Sequence, residues 1–226
     1  PARGGSKRIP RKNIKKLDGR PIIAHVIENL NQLSCISQIC VSTDDEEIRK
    51  IAERCGAMTL DLRDPTLSGD HITFMDLIRG DIPRFTTVNH SKEILFVLPT
   101  AALIPPKLYE CAYQRYMEKS SQVLMAGTAY PISPYWGLTQ KDNGYWKPLF
   151  PEAMLVNSQD LPATTVDAGL FYLFNYDDVK DQHSLQFVEN LDIIRIPSKY
   201  VVDVDTPDDW EELESKYEKL NRESER

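Results

Sequence analysis

The stretch EILFVLPTAALIPPKLYECAYQRYMEKSSQVLMA, residues 93–126, decides the fold class of this chain. It opens with a nearly continuous apolar run at 93–98, which is typical of a parallel strand covered on both faces of a sheet. A helix is predicted from Pro106 to about Lys119, and a second strand is predicted at 122–126. A strand, a helix and a strand in this order indicate a βαβ unit, in which ligands bind at the carboxyl ends of the strands.

The same alternation extends in both directions from this unit. Apolar positions recur at helical spacing between residues 20 and 32, and Pro21 suits a first helical turn. Further strands are predicted at 38–43, 57–60, 169–174 and 193–196, and further helices after the acidic run 44–47, near Thr73 and after the N-cap Thr206. The sequence therefore predicts one α/β domain over residues 1–226, with a Rossmann-like, mostly parallel sheet flanked by helices.

The composition argues against several classes of protein. The 226 residues are 41% hydrophobic, which is enough to bury a core and is not typical of a disordered chain. The formal charge of −7 argues against nucleic acid or an anionic membrane as a general partner, and no apolar run approaches the length of a membrane span. The four cysteines lack C-x-x-C spacing, so we expect reduced core residues of a cytoplasmic protein, without a zinc site or disulfides.

The alternation of strands and helices breaks between residues 130 and 166. This segment is rich in Pro, Gly, Trp and Tyr, and it shows neither the helical nor the strand period. It is too long for an ordinary connection, and exposed aromatic side chains there would suit a contact between subunits. We therefore expect an insertion that serves dimer contact and the substrate site.

The opening PARGGSKRIPRKNIK, residues 1–15, carries six Lys and Arg residues on an acidic protein. A solvated tail is one interpretation, and a loop for a local anionic ligand is the other. The glycines allow backbone N–H groups to approach an anion, and the basic side chains can neutralise a triphosphate. The string is neither a Walker A loop nor G-x-G-x-x-G. Such a loop normally follows a strand, so we expect a short, central strand before Pro1.

Asp203-Val204-Asp205 is a second candidate site. Carboxylates two residues apart at the end of a strand point the same way, and both can reach one Mg²⁺, which prefers oxygen ligands. The alternative is an acidic loop at a helix N-terminus, where Asp208 and Asp209 are expected to belong.

Together these motifs resemble the nonulosonic acid cytidylyltransferases, the enzymes that make CMP-activated sugar acids, over nearly the whole chain. The similarity lies in the A-R-x-x-S-K and K-N positions of 2–13, the strand end 41–44, the L-R-P-x-x-L-x-x-D segment 62–70, P-T-A at 99–101, S-Q-D-L at 158–161 and D-V-D-T-P-D-D-W at 203–210. Within the family, S-Q-D-L followed by Asp167, Ala168 and Gly169 is most similar to pseudaminic acid cytidylyltransferases. The N-acetylneuraminate enzymes tend to carry Asn-Gly at that point.

The resemblance implies a fold of the nucleotide-diphospho-sugar transferase type and transfer of CMP from CTP to a nine-carbon sugar acid, with Mg²⁺ as cofactor. It also implies a homodimer, with neither nucleic acid nor membrane as a partner. The implied site residues are Arg3, Lys7, Lys12 and Asp205 for catalysis, Ala2, Arg3, Gly4, Gly5, Ser6, Asn13, Arg63 and Thr73 for the nucleotide, Gln159, Asp160 and Asp167 for the sugar, and Asp203 and Asp205 for the metal. Without the resemblance, Arg63 is typical of a surface residue and Asp44 of a helix N-cap.

The sequence departs from the family on the acceptor side. Leu98 stands where Gln or Tyr is usual, Asn157 and Ser158 where an arginine is common, and Val166 where pseudaminic enzymes often have His. The nucleotide half therefore matches and the acceptor half does not. Three alternatives stay open: an N-acetylneuraminate enzyme, a D-x-D glycosyltransferase and a non-catalytic nucleotide-binding relative. The basic loop argues against the glycosyltransferase, which releases a nucleoside diphosphate and needs no such clamp.

Overall fold

The structure is a computed structural model that describes residues 1–130 and 132–224. Its helices are α1 (Ile22–Asn31), α2 (Glu46–Arg54), α3 (Phe74–Gly80), α4 (Ile82–Asn89), α5 (Pro106–Lys119), α6 (Tyr176–Val179) and α7 (Pro207–Ser224). Its strands are β1 (Lys16–Leu17), β2 (Arg20–Pro21), β3 (Cys40–Val41), β4 (Met58–Thr59), β5 (Glu93–Val97), β6 (Val123–Ala129), β7 (Leu138–Gln140), β8 (Trp146–Pro148), β9 (Thr165–Asn175) and β10 (Leu191–Arg195). The helix α4 has no counterpart in the sequence prediction.

The central sheet has the strand order β10-β6-β9-β5. β10 and β6 are parallel, whereas β9 runs antiparallel to both of its neighbours. The α/β prediction is confirmed. Three of the four strands, β5, β6 and β10, run in the same direction, but the sheet is mixed because β9 lies between β5 and β6 and runs in the opposite direction. β9 reverses because β6 ends at Ala129 and β9 begins directly opposite it at Thr165, so the chain turns back as a wide hairpin.

Helices cover both faces of this sheet. Alternate residues of β6 face opposite sides, as strand geometry requires. Leu124 packs in a cluster with Phe171 of β9 and Trp210 of α7, while Met125 packs on the other face with Ile78 of α3. A third cluster joins α1, α2, β3 and Ala2, and it anchors the start of the chain against the body of the protein.

The segment between β6 and β9 holds the β7–β8 hairpin and three short 3₁₀ turns; Pro131 lies outside the described residues. Six large apolar side chains here are more than half exposed. We call them the apolar patch: Ile132, Leu138, Tyr145, Trp146, Leu149 and Leu155. Single exposed apolar residues are common on proteins, whereas a group of this size within one segment is a candidate interaction surface.

Two expectations about side chains are corrected by the structure. Cys111 is exposed because α5 buries the face that carries Tyr109, Ala112 and Tyr116, and Cys111 lies off that face. Cys35 and Cys55 are half-buried, not core residues. Among the helices of residues 1–130 and 132–224, none combines the length and apolar character needed to cross a membrane.

Candidate nucleotide and metal site

The basic opening is a folded loop, and its interpretation as a solvated tail is wrong. The Ala2 N–H donates to the Ser42 carbonyl at 2.8 Å, beside the end of β3. The buried side chain of Asn13 donates to the Arg3 carbonyl at 2.9 Å, which closes the loop on itself. Ala2 and Ile9 are also buried. These contacts hold the loop at the carboxyl end of β3, where a ligand site is expected in an α/β protein.

The two glycines of this loop have different surroundings. A Cβ on Gly4 would lie 2.6 Å from an Asp45 carboxylate oxygen, whereas a Cβ on Gly5 would meet nothing within 4 Å. The Gly4 N–H is already used, since it donates to Asp44 Oδ1 at 2.8 Å. The Gly5 N–H has no acceptor among the described residues. Packing therefore explains Gly4, while Gly5 leaves an open backbone face that an anion can approach closely.

Four cations of the loop pair with two carboxylates from elsewhere in the chain. Arg3 and Lys7 pair with Asp70, at 2.8 and 2.5 Å. Arg8 pairs with Asp205 at 2.7 Å, and the Lys12 Nζ lies 3.5 Å from the same carboxylate while donating to the Val204 carbonyl at 2.5 Å. The fold thus brings the loop and the D-x-D motif together across about 190 residues. The sequence analysis missed Arg8, which looks like any other surface cation in a basic run.

The D-x-D motif has the predicted alternation. Val202 and Val204 are buried in the core, while Asp203 is exposed and Asp205 half-buried on the opposite side. Desolvation, together with the negative charge of Asp205 and of Asp209, raises the pKa of the Asp203 carboxyl.

Asp209 belongs to the helix start, as predicted. Its carboxylate accepts the N–H groups of Asp205 and Thr206, at 2.9 and 2.7 Å, and its own N–H donates to the Thr206 hydroxyl at 3.3 Å. The alternative interpretation of the motif as helix capping therefore applies to Asp209, and the carboxylates of Asp203 and Asp205 take no part in the cap.

The donor set at this point fits Mg²⁺. Within residues 1–130 and 132–224 no group of three or more His, Cys, Asp and Glu side chains could hold a metal ion. A pair of carboxylates is nevertheless what Mg²⁺ usually takes from a protein, because water and substrate phosphates complete its six oxygen ligands. Asp203 and Asp205 could therefore hold Mg²⁺ together with a phosphate ligand.

Arg63 is buried, which contradicts its interpretation as a surface residue. Only 3% of its surface is exposed, and its N–H donates to the Thr43 carbonyl at 2.7 Å. Burial lowers the pKa of the guanidinium, and its side-chain contacts are long: 3.3 Å to Ser68, 3.4 Å to Ser42 and 4.0 Å to Asp44. A buried guanidinium with long contacts of this kind retains donors for an anionic ligand.

The helix-cap interpretation of Asp44 is also wrong. Asp45 is the N-cap of α2 and accepts the N–H groups of Glu47 and Ile48. Asp44 instead receives the Gly4 N–H and lies near Arg63. Two consecutive aspartates are equivalent as cap candidates in a sequence, and only the direction in which the chain enters the helix distinguishes them.

Thr73 forms a capping box at the start of α3. Its hydroxyl accepts the Asp76 N–H, and the Asp76 carboxylate accepts the Thr73 N–H at 2.8 Å. Its role as a nucleotide contact stays a prediction. Ser6 lies in the loop with its own N–H donated to the Gly4 carbonyl at 3.1 Å, and a nucleotide contact by its hydroxyl likewise stays a prediction.

The three predicted sugar residues lie in two places. Gln159 and Asp160 are exposed on a 3₁₀ turn of the 130–166 segment. Asp167 lies on β9 opposite Gly127, and its carboxylate accepts the Tyr172 hydroxyl at 2.9 and 3.0 Å, the Gly169 N–H at 2.9 Å and the Gln186 amide at 3.1 Å.

The sequence analysis missed Tyr172 and Gln186. Tyr172 has the pattern of a core aromatic residue in an apolar strand, and Gln186 lies on the short 3₁₀ turn Leu185–Phe187, which carries no motif. No signal in one sequence connects either residue to Asp167.

Comparisons with known proteins show the family of this chain. The profile of the Cytidylyltransferase family matches residues 1–122. Pseudaminic acid cytidylyltransferase from Campylobacter jejuni is 34% identical, over 99% of this chain and 96% of that protein. The chain belongs to the cytidylyltransferase family. CMP-N,N'-diacetyllegionaminic acid synthase from Legionella pneumophila is 28% identical over the same shares of the two chains.

The fold of this cytidylyltransferase is shared with a solved relative. The structure of CMP:2-keto-3-deoxy-manno-octonic acid synthetase complexed with CTP covers 97% of both chains, with a TM-score of 0.69 and 17% identity. The predictions of family, fold class and nucleotidyltransferase activity are therefore confirmed.

Proposed function

We propose that this enzyme transfers CMP from CTP to a nine-carbon sugar acid, pseudaminic acid or a close relative, and releases pyrophosphate. The observation that carries the proposal is the meeting of the basic loop with the D-x-D motif, since Lys12 and Arg8 both lie against Asp205. Such a site can hold a triphosphate and a divalent cation side by side. The relatives named for pseudaminic and legionaminic acids support the choice of acceptor class.

The residues of the loop position and neutralise the nucleotide. Arg3, Lys7 and Lys12 bind the triphosphate, and the open backbone at Gly5 lets a phosphate come close. The anomeric hydroxyl of the sugar attacks the α-phosphorus in line. The bond from the α-phosphorus to the oxygen shared with the β-phosphorus breaks, pyrophosphate leaves with that oxygen, and the hydroxyl proton passes to solvent. The loop cations stabilise the charge that collects on the departing pyrophosphate.

Asp203 and Asp205 would hold Mg²⁺, which when bound supplies neutralisation of phosphate oxygens and a lower pKa for the attacking hydroxyl. The buried guanidinium of Arg63 contributes a further positive charge beside Asp44. Ala2 and Asn13 shape the loop through their buried contacts.

The acceptor side completes the proposal. Gln159, Asp160 and Asp167 bind the sugar, and residues 130–166 form the insertion of one nucleotidyltransferase domain through which two copies associate. The apolar patch supports the dimer because a second copy would bury these exposed side chains against an equally apolar surface. We also infer a cytoplasmic setting, supported by the free thiols of Cys35, Cys55 and Cys111.

Pyrophosphate release from CTP and Mg²⁺ with a panel of pseudaminic, legionaminic and N-acetylneuraminic acids tests the function. We expect release with at least one acid, and a loss of about a hundredfold or more in kcat/KM for Lys12→Ala and for Asp205→Asn. Lys16→Ala and Asp208→Asn are matched controls, because both residues are exposed and neither contacts the site. If the enzyme binds CTP but releases no pyrophosphate with any of the acids, the proposed function is wrong. If both site variants keep full activity, the proposed mechanism is wrong.

A further inference from the structure

Asp70 joins two cations that the proposed function assigns to the triphosphate. Arg3 Nη1 lies 2.8 Å from Asp70 Oδ1, and Lys7 Nζ lies 2.5 Å from Asp70 Oδ2. Each carboxylate oxygen thus holds one cation. Asp70 comes from the irregular stretch between the 3₁₀ turn Pro65–Leu67 and α3, which is a different part of the chain from the loop. The hydrogen bonds from Lys7 and then Arg3 lower the pKa of the Asp70 carboxyl, so it is ionised near neutral pH.

The surroundings of Asp70 allow it to leave these cations. Its side chain is 38% exposed, that of Arg3 is 37% exposed and that of Lys7 is 80% exposed. Among the described residues, the Asp70 carboxylate has hydrogen-bond or ion-pair partners only in Arg3 and Lys7. Exposed ion pairs of this kind contribute little to stability, so the pairs can open at low cost.

Asp205, which also pairs with cations of the loop, differs from Asp70 in one respect. It lies beside Asp203 in a donor set that fits Mg²⁺. It therefore has a role when the nucleotide is bound. Asp70 lies outside this donor set, and its charge would repel a phosphate that approaches Arg3 and Lys7.

We propose that Asp70 is a positioning residue that holds Arg3 and Lys7 as a tethered counter-anion until the phosphates of the nucleotide displace it. The inference rests on the proposed function, since it takes the ligand of these cations to be the triphosphate. In the free enzyme Asp70 holds both cations at the loop. Binding of any ligand that uses both cations is weaker because the two ion pairs of Asp70 must break first. Asp70 also favours the departure of pyrophosphate, because it pairs with Arg3 and Lys7 again.

The direct test is calorimetric titration of Asp70→Asn with pyrophosphate, CTP and cytidine, without acceptor. The amide keeps the size of the side chain and removes its charge. We expect pyrophosphate and CTP to bind roughly three- to tenfold more tightly than to the wild type, and cytidine to bind equally to both. In steady-state assays KM for CTP falls while kcat stays level or falls, because product release is slowed.

Asp61→Asn is the matched control, since Asp61 is an exposed aspartate nine residues earlier and the variant changes the net charge equally. We expect it to bind all three ligands as the wild type does. Unchanged or weaker pyrophosphate binding by Asp70→Asn would overturn the inference, as would an equal gain in Asp61→Asn. Failure of the wild type itself to bind CTP or to release pyrophosphate would instead overturn the proposed function.

Discussion

At the scale of single residues, identical neighbours in the sequence have separate tasks in the structure. Gly4 lies against Asp45 and its N–H is taken by Asp44, whereas Gly5 faces open space. Neither glycine has a positive φ, so backbone conformation does not explain their presence. A substitution at each position should therefore affect a different property of the enzyme.

We expect Gly4→Ala to lower the free energy of unfolding by about 1–3 kcal/mol, because the new Cβ displaces Asp45 from its position as cap of α2. Gly5→Ala should leave stability within about 0.5 kcal/mol of the wild type, because its Cβ meets open space. If a phosphate approaches Gly5 as proposed, the added methyl group also weakens CTP binding. Urea unfolding and CTP titration of both variants check this. Equal loss of stability in the two variants would contradict the distinction.

Tyr172 and Tyr109 are two identical residues, distant in the sequence, that also differ in their surroundings. Both are buried, and burial raises the pKa of each hydroxyl. The Tyr172 hydroxyl donates to Asp167, while within the described residues that of Tyr109 has no hydrogen-bond partner. Tyr172→Phe should therefore cost about 1 kcal/mol of stability, and Tyr109→Phe should cost nothing.

If Asp167 binds the sugar acid as proposed, Tyr172→Phe also raises KM for the acid while KM for CTP is unchanged. Urea unfolding together with steady-state kinetics measures both effects. A rise in both KM values would show that the variant disturbs the whole site and would contradict a role confined to the acceptor side.

At the scale of secondary-structure elements, an ion pair links α5 to the edge strand β10. Asp192 accepts two hydrogen bonds from Arg115, at 2.6 and 2.8 Å, and lies 3.2 Å from the Lys119 Nζ. The bonds from Arg115 lower the pKa of the Asp192 carboxyl from 3.8 to about 2. The depressed pKa means that this stabilisation is full above about pH 4 and is lost as the pH falls towards 2.

We expect Asp192→Asn to lower the free energy of unfolding by about 1 kcal/mol near neutral pH, a value reduced because Arg115 is 42% exposed. The difference from the wild type should shrink as the pH falls below about 4. Urea unfolding at a series of pH values provides the measurement, with the exposed Asp142→Asn as control. A difference that does not change with pH would mean that the pair is not its source.

At the scale of the whole molecule, the apolar patch is a surface that one chain leaves exposed. We expect the wild type to sediment as a dimer at micromolar concentration and Trp146→Asp to sediment as a monomer, because a carboxylate cannot be buried in an apolar contact. Phe187→Asp is the control, since Phe187 is also exposed but lies outside the 130–166 segment. Analytical ultracentrifugation distinguishes the species. A monomeric wild type, or equal dissociation of both variants, would contradict the proposed dimer.

The sequence by itself determined what depends on local order. Apolar residues at helical spacing between 20 and 32 predicted α1, and the nearly continuous apolar run at 93–98 predicted β5, because side-chain pattern reports directly on helix and strand geometry. The sequence also predicted that Asp203 and Asp205 face the same side, opposite to Val202 and Val204, since every second residue of an extended chain faces the same side.

Only the tertiary structure decided what depends on residues far apart in the chain. The burial of Arg63, the contact of Asp44 with Gly4 and the pairing of Arg8 with Asp205 each join segments about 20 or more residues apart. The direction of β9 depends in the same way on where the chain re-enters the sheet after the 130–166 segment. The spacing of residues within one segment carries no information on such long-range contacts, because these depend on how the elements pack together.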